Sequence, residues 1–262
     1  MPRYRLTLEY DGAPFVGWQR QKNGSSVQGA LETAVELFCG ERVTAAAAGR
    51  TDAGVHARAM TAHVDIQRKV DAQVLRDAIN HHLKPDPIAI LDAEAVGDDF
   101  HARFSATARA YEYLIVARRA PLALDAGRAW RLAGPLDAEA MRSAARALIG
   151  KHDFTTFRAA QCQAASPVKT VSELDVTVDK DRIRIFARAP SFLQHQIRSI
   201  AGSLVEVGLG RWAPADMKAA LNARDRRACG RVAPAHGLYF LRAEYDAESG
   251  LAGEKGGAEI DD

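Results

Sequence analysis

The chain has 262 residues, 47% of them hydrophobic and 26% charged, with a net charge of +2. That composition suits a soluble globular protein of one large domain or two ordinary ones. No apolar run reaches the roughly 18 residues that would read as a membrane span, which excludes a single-pass helix. Met1-Pro2-Arg3-Tyr4-Arg5 leads directly into a strand pattern and lacks the apolar core and cleavage site of a secretory signal, so the expected location is cytoplasmic. The three cysteines, Cys39, Cys162 and Cys229, lie far apart. None forms a C-x-x-C pair, so neither a zinc ribbon nor a redox motif is indicated.

The charge is unevenly spread. From Ala247 to Asp262 the chain carries Glu248, Glu254, Glu259, Asp261 and Asp262 against Lys255, and removing that stretch raises the net charge from +2 to +6. Of the 35 basic residues, 27 are arginine, the side chain whose planar fork of donors matches phosphate. Genomic base composition explains such a bias equally well, so charge alone leaves nucleic-acid binding open.

In chain order, Tyr4, Leu6, Leu8 and Tyr10 alternate with Arg5, Thr7 and Glu9, which predicts a half-buried strand. Asp11-Gly12-Ala13-Pro14 breaks it. Ser25 with Gln28 fits a capping box. Val27, Leu31, Val35 and Phe38 then recur at helical spacing up to a stop at Gly40. Met60, Ala62, Val64 and Ile66 alternate as a second strand. Asp71 can cap a helix with Val74, Leu75, Ala78, Ile79 and Leu83 on one face, ended by Pro85 and Pro87. Ile88 to Leu91 reads as a short strand and Ala110 to Val116 as another. Asp137 to Ile149 reads as a helix with Met141, Ala145, Leu148 and Ile149 inward. Val171 to Val178 and Ile183 to Ala187 suggest a hairpin around Asp179-Lys180-Asp181. Phe192 to Val207 reads as one long helix. A short helix starts near Pro214, and Leu238 to Tyr245 closes as a strand.

Strands and helices thus mix in comparable order in both halves. The class is α+β, with two similar lobes. The expected divisions are 1–107, 108–246 and a disordered acidic tail, 247–262.

The densest polar cluster is Gly49-Arg50-Thr51-Asp52-Ala53-Gly54-Val55-His56-Ala57-Arg58. Glycines near both ends permit tight backbone geometry. In an extended segment Arg50 and Asp52 would project to one side. On its own the cluster also reads as a polar turn, with Asp52 capping and Arg50 solvated.

This cluster closely resembles the signature of the tRNA pseudouridine synthase A family, whose G-R-T-D-A-G-V-H aspartate is catalytic. Other segments resemble that family in its own order. They are Asp11-Gly12 with Phe15, Gly17, Trp18, Gln19, Arg20 and Gln21; Ser26-Val27-Gln28 with Leu31-Glu32; and Phe100-His101-Ala102-Arg103-Phe104-Ser105-Ala106. Tyr111 and Tyr113, His152-Asp153-Phe154 with Phe157-Arg158, Phe192-Leu193 with Gln196-Ile197-Arg198 and Gly202, and Ala233-Pro234 with Gly237-Leu238-Tyr239 continue the set. Two positions depart from the family pattern: Glu112 stands where many members carry a basic residue, and Gln196 where many carry methionine.

The resemblance implies two α+β lobes packed around a shared, mostly antiparallel sheet, with a basic cleft between them. It implies a homodimer acting on transfer RNA, at uridines 38, 39 and 40 of the anticodon stem and loop, with no metal or organic cofactor. Asp52 would be the nucleophile, Arg198 the cation against it, and Tyr111 the ring that stacks on the extruded uracil. Arg50 would assist base flipping. Arg103, Arg58, Arg20 and Lys22 would contact phosphates.

Two other readings compete. A catalytically silent RNA-binding module would keep the basic cleft and not need Asp52, Tyr111 and Arg198 together. A metal hydrolase would use His56, His63, Asp52 and Asp65, but their spacing matches neither H-E-x-x-H nor a Cys/His zinc pattern. No G-x-x-x-x-G-K-[ST] phosphate loop is present, and Gly208-Leu209-Gly210 ends a helix rather than opening one.

Overall fold

The computed structural model describes residues 1–246; the acidic stretch expected to be disordered, 247–262, lies outside the described residues. The order is β1 (Arg3–Tyr10), α1 (Val27–Cys39), β2 (Ala46–Ala47), β3 (His56–Asp65), α2 (Ala72–His82), β4 (Ile88–Val96), β5 (Ala106–Ala117), β6 (Trp130–Leu132) and α3 (Ala138–Arg146). Then follow β7 (Gly150–Asp153), β8 (Val168–Val171), β9 (Glu173–Asp179), β10 (Arg182–Ala189), α4 (Gln196–Gly208), α5 (Pro214–Ala223) and β11 (Leu238–Tyr245). Among the described residues no helix is long and apolar enough to cross a membrane.

A nine-stranded sheet runs β4-β1-β3-β11-β5-β10-β9, with β2 added to β3 and β6 to β5. Most pairs are antiparallel. The parallel exceptions are β5 with β6, and the seam where Tyr239 and Phe240 of β11 meet His56 and Ala57 of β3. One apolar cluster packs α1 and α2 on β1 and β3, through Leu6, Leu8, Val35, Met60, Ala62 and Leu75. The other packs α3, α4 and α5 on β5, β9 and β10, through Tyr113, Ile115, Ile185, Met141 and Ile200. Tyr111 touches both clusters. The seam is therefore packed from both sides, and the loop that carries Asp52 leads into it.

Local signals place most elements. Ser26 caps α1 by accepting from the Gly29 N–H, one residue after the cap expected at Ser25; Gln28 instead bonds Glu32 and the Ala45 carbonyl. Gly40 ends α1 in the left-handed conformation that glycine tolerates. Asp71 caps α2 as expected, and Asp137, where the third helix was expected to begin, caps α3.

Several expectations need correction. Val74 and Ile149, placed inward by periodicity, are exposed. Strand β4 is longer than Ile88–Leu91, and the register shift opposite Thr7/Leu8 leaves Leu91 turned outward. The helix expected from Phe192 begins only at Gln196, because His195 takes a left-handed conformation (φ 62°, ψ 2°). Strands β6, β7 and β8 were not expected; they are short and lack alternation.

The polar side of β3 is not solvated. His63 is 5% exposed, and its Nδ1 accepts from the Ala102 N–H at 3.1 Å, tying the segment before β5 to the sheet. Burial, helped by the nearby Arg3 and His101 charges, lowers its pKa to about 4. The unfolded chain therefore takes this proton first. The stability it contributes is full above about pH 6.5 and falls as pH drops towards 4. Urea unfolding at about pH 5 should show roughly 2 kcal/mol less stability from this group than at about pH 8. His63→Gln, which keeps an acceptor but does not titrate, should show a correspondingly smaller drop; an equal drop would remove His63 from the account.

Candidate active site

Asp52 lies in a turn between β2 and β3, and its backbone is pinned on several sides. Thr51 is buried, its hydroxyl shared with Tyr10 at 2.8 Å, and its carbonyl accepts from the Trp18 N–H at 3.0 Å. Asp52 pairs with Gly17 in an isolated bridge, and its own carbonyl accepts from Val55. Gly17 has φ +115°, and a Cβ there would lie 2.6 Å from the Thr51 carbonyl oxygen. Gly17→Ala should push the Thr51-Asp52 backbone aside. A displacement of about 1 Å can cost about 100-fold in turnover, so kcat should fall by that order while urea unfolding shifts only modestly. Parental turnover in this variant would show that the loop is not so held.

The Asp52 side chain is 26% exposed and meets two groups from the start of α4. Arg198 Nη1 is 3.6 Å from Asp52 Oδ2, and His195 Nε2 is 3.4 Å from the same oxygen. Arg198 is itself fixed: its Nε donates to the Ala233 carbonyl at 2.9 Å, and its own carbonyl accepts from Ala233 at 3.0 Å. The guanidinium is thus held on a buried helix by a partner other than the carboxylate, so its charge is in place before a ligand arrives. Gln196 is fully buried; its Oε1 accepts from the Leu193 N–H, closing the turn that starts α4, and its Nε2 finds no partner among the described residues.

Tyr111 stands on β5 beside this group, held edge-on by Phe192 at 5.4 Å and Phe240 at 5.1 Å between ring centres. Burial and the Asp52 charge both push its phenol above the ordinary value. Tyr113, on the same face, is fully buried with its hydroxyl on the Pro234 carbonyl, as a core tyrosine requires.

Asp52, Arg198 and Tyr111 therefore converge. Arg50 is exposed two residues from Asp52. Arg103 is exposed over the Phe104 ring, and its carbonyl is gripped by Arg109. Arg109 also donates to Ala48, Ala106 and Pro190 carbonyls, binding three segments around the site without a carboxylate partner among the described residues. Lys22 is exposed in the turn closed by Gln21 and Gly24. Arg20 is engaged by the buried Glu32. Arg58 does not join the group. It lies on the other face of the sheet, stacked on Tyr239 and paired with Glu112.

Two residues escaped the sequence reading. His195 is three positions before Arg198, a same-face spacing on a helix, so a signal existed. Arg109 carried none. The histidine–aspartate metal cluster does not assemble: His56 bonds Gly12 and Gly127 on its own side, and no metal-competent group of three such residues occurs among the described residues.

Comparison with known proteins shows the family. The family model described as tRNA pseudouridine synthase matches residues 7–105 and 144–246. The chain is 58% identical over 256 residues to a tRNA pseudouridine synthase A of Paramagnetospirillum magneticum, covering 98% of this chain and 100% of that one. It is 59% identical over 247 residues to the Brucella ovis protein of the same name, covering 94% and 98%. With the Asp52 loop and Arg198 inside the matched regions, and relatives at 58–59% identity over nearly the whole chain, the chain belongs to the tRNA pseudouridine synthase family.

Proposed function

We propose that this chain isomerises uridine to pseudouridine at positions 38, 39 and 40 of the anticodon stem and loop, with Asp52 as the nucleophile. The reaction class, uridine isomerisation in transfer RNA, is that of its family. The observation that carries the finer reading is the Asp52 carboxylate, flanked on Oδ2 by Arg198 and His195 and close enough to Tyr111 for its charge to act on the phenol. A carboxylate nucleophile splits one hard substitution into two easier ones. The N-glycosidic bond breaks, the uracil turns, and C5 rejoins ribose C1′. Atoms balance without any redox partner. Tyr111 supplies the stacking face for the extruded base.

A stem uridine must first leave its stack, at a cost of a few kcal/mol. Arg50, exposed and two residues from Asp52, fills the vacated space and offsets part of that cost. Arg103 and Lys22 contact phosphates at the rim of a basic cleft. Arg20 does so only if it leaves Glu32, and Arg58 serves at most from the opposite face. The working form is a cytoplasmic homodimer.

Transcripts carrying a single uridine at position 38, 39 or 40 should each gain pseudouridine. Transcripts with uridine only outside the anticodon arm should gain none; modification spread evenly over the tRNA would overturn the assignment. Arg50→Ala should lose roughly tenfold more activity on a paired target than on a loop target, the equivalent of about 1.4 kcal/mol of flipping cost. Equal losses on both targets would remove Arg50 from the flipping step.

A further inference from the structure

The isomerisation leaves one proton without an acceptor. When C5 rejoins C1′, that carbon holds both the new bond and its original hydrogen. The hydrogen must leave as a proton before the uracil ring regains its conjugation. The acceptor has to stand near Asp52, because C1′ does. Three groups meet that condition: Asp52 itself, Tyr111 and His195.

Tyr111 is a poor acceptor. Its phenol is pushed up by burial and by the neighbouring carboxylate, so it stays protonated and has no free charge with which to take a proton. Asp52 is freed when C5 displaces it from C1′, but a carboxylate is a weaker base than a neutral imidazole. His195 remains, and three observations single it out. Its Nε2 lies 3.4 Å from Asp52 Oδ2. Its backbone is left-handed (φ 62°, ψ 2°), an uncommon state for a residue with a side chain, of the kind that collects at functional sites. Its side chain caps none of the N–H groups of α4 although it stands at the cap position. The strained turn therefore serves the ring's position rather than the helix.

We propose that His195 accepts the proton that leaves uracil C5; this rests on the isomerase reading above. The C5–H bond breaks and its electron pair closes the C5–C6 double bond. The C6–N1 double-bond pair moves to N1, which takes up a proton, and His195 returns its own to solvent. The charged groups around the ring suit this cycle. Burial and the Arg198 and Arg226 guanidiniums hold its pKa below the usual histidine value, against the opposing pull of Asp52. The ring is therefore neutral and receptive near pH 7. Once charged, it stands beside a carboxylate.

The test uses the full chain and tRNA carrying either protium or deuterium at uracil C5. His195→Asn keeps a side chain that tolerates positive φ and removes the base. His195→Gly fits the same backbone and leaves room for added imidazole. Turnover of His195→Asn should fall on the order of 100-fold, with tRNA affinity kept. Its rate should show a larger C5 isotope effect than the parent, because proton removal has become the slow step. Imidazole should restore turnover to His195→Gly. An equally slow variant with the parental isotope effect and no imidazole rescue would reduce His195 to a positioning residue for Asp52 and overturn the proposal, as would parental turnover. An active parent with either result overturns this inference alone. A parent that forms no pseudouridine overturns the isomerase reading, and this inference with it.

Discussion

Asp52→Asn should abolish pseudouridine formation, lowering turnover by at least about 10,000-fold, as loss of a nucleophile does in other enzymes. The change keeps shape and removes the charge, leaving an amide that cannot serve as the nucleophile. The loop should stay in place, because its anchors are backbone bonds to Trp18 and Gly17 and the Tyr10–Thr51 hydroxyl pair, not the carboxylate. Binding of tRNA should therefore survive, with the same decline in affinity as salt rises. Lost binding in step with lost turnover would point to a structural role for Asp52. Retained turnover would place the nucleophile elsewhere.

Arg198→Met should be the next most damaging change, lowering turnover about 100- to 1,000-fold, the range seen when one preorganised electrostatic contact is removed. The loss has two sources. The carboxylate loses the guanidinium 3.6 Å from Oδ2, and the Ala233 carbonyl loses its donor at 2.9 Å. Arg198→Lys separates them: a lysine can return the charge but not both contacts of the planar fork. Its turnover should lie between those of the parent and the methionine variant. Nearly parental turnover in Arg198→Met, measured at saturating tRNA, would show that the cation is not needed beside Asp52.

The sequence exposed much of this arrangement, for identifiable reasons. Helices α1, α2 and α3 announced themselves through caps and 3.6-residue spacing. Strand β1 and the inner face of β3 did so through alternation. Asp52, Tyr111 and Arg198 lie far apart along the chain, and no periodicity joins them; the family resemblance supplied that link, and the fold brings them together beside the β3–β11 seam. What period counting did not show was hidden by local geometry that breaks it. Arg58 follows the same even-numbered series as Met60, Ala62 and Val64. Yet Tyr10 pairs with Ala57 where Leu8 pairs with Met60, so a β-bulge inserts one residue and flips the facing of everything before it. Arg58 thereby goes to the far face, beside Tyr239 and Glu112. His195 was hidden the same way. Leu193, Ile197 and Ile200 keep helical spacing and are all buried, so periodicity ran the helix through a left-handed residue that actually starts it. Arg109 holds only backbone carbonyls, and such partners leave no trace in side-chain patterns.

The most direct measurement is tritium release from unmodified tRNA labelled at uracil C5, with the parent and Asp52→Asn side by side and a chelator present. Forming the C1′–C5 bond requires that hydrogen to leave, so each pseudouridine made frees one label to water. The account predicts steady release by the parent, indifferent to chelator, and none by the variant although it still binds the tRNA. Release by both proteins, or release by neither while both bind, would contradict it.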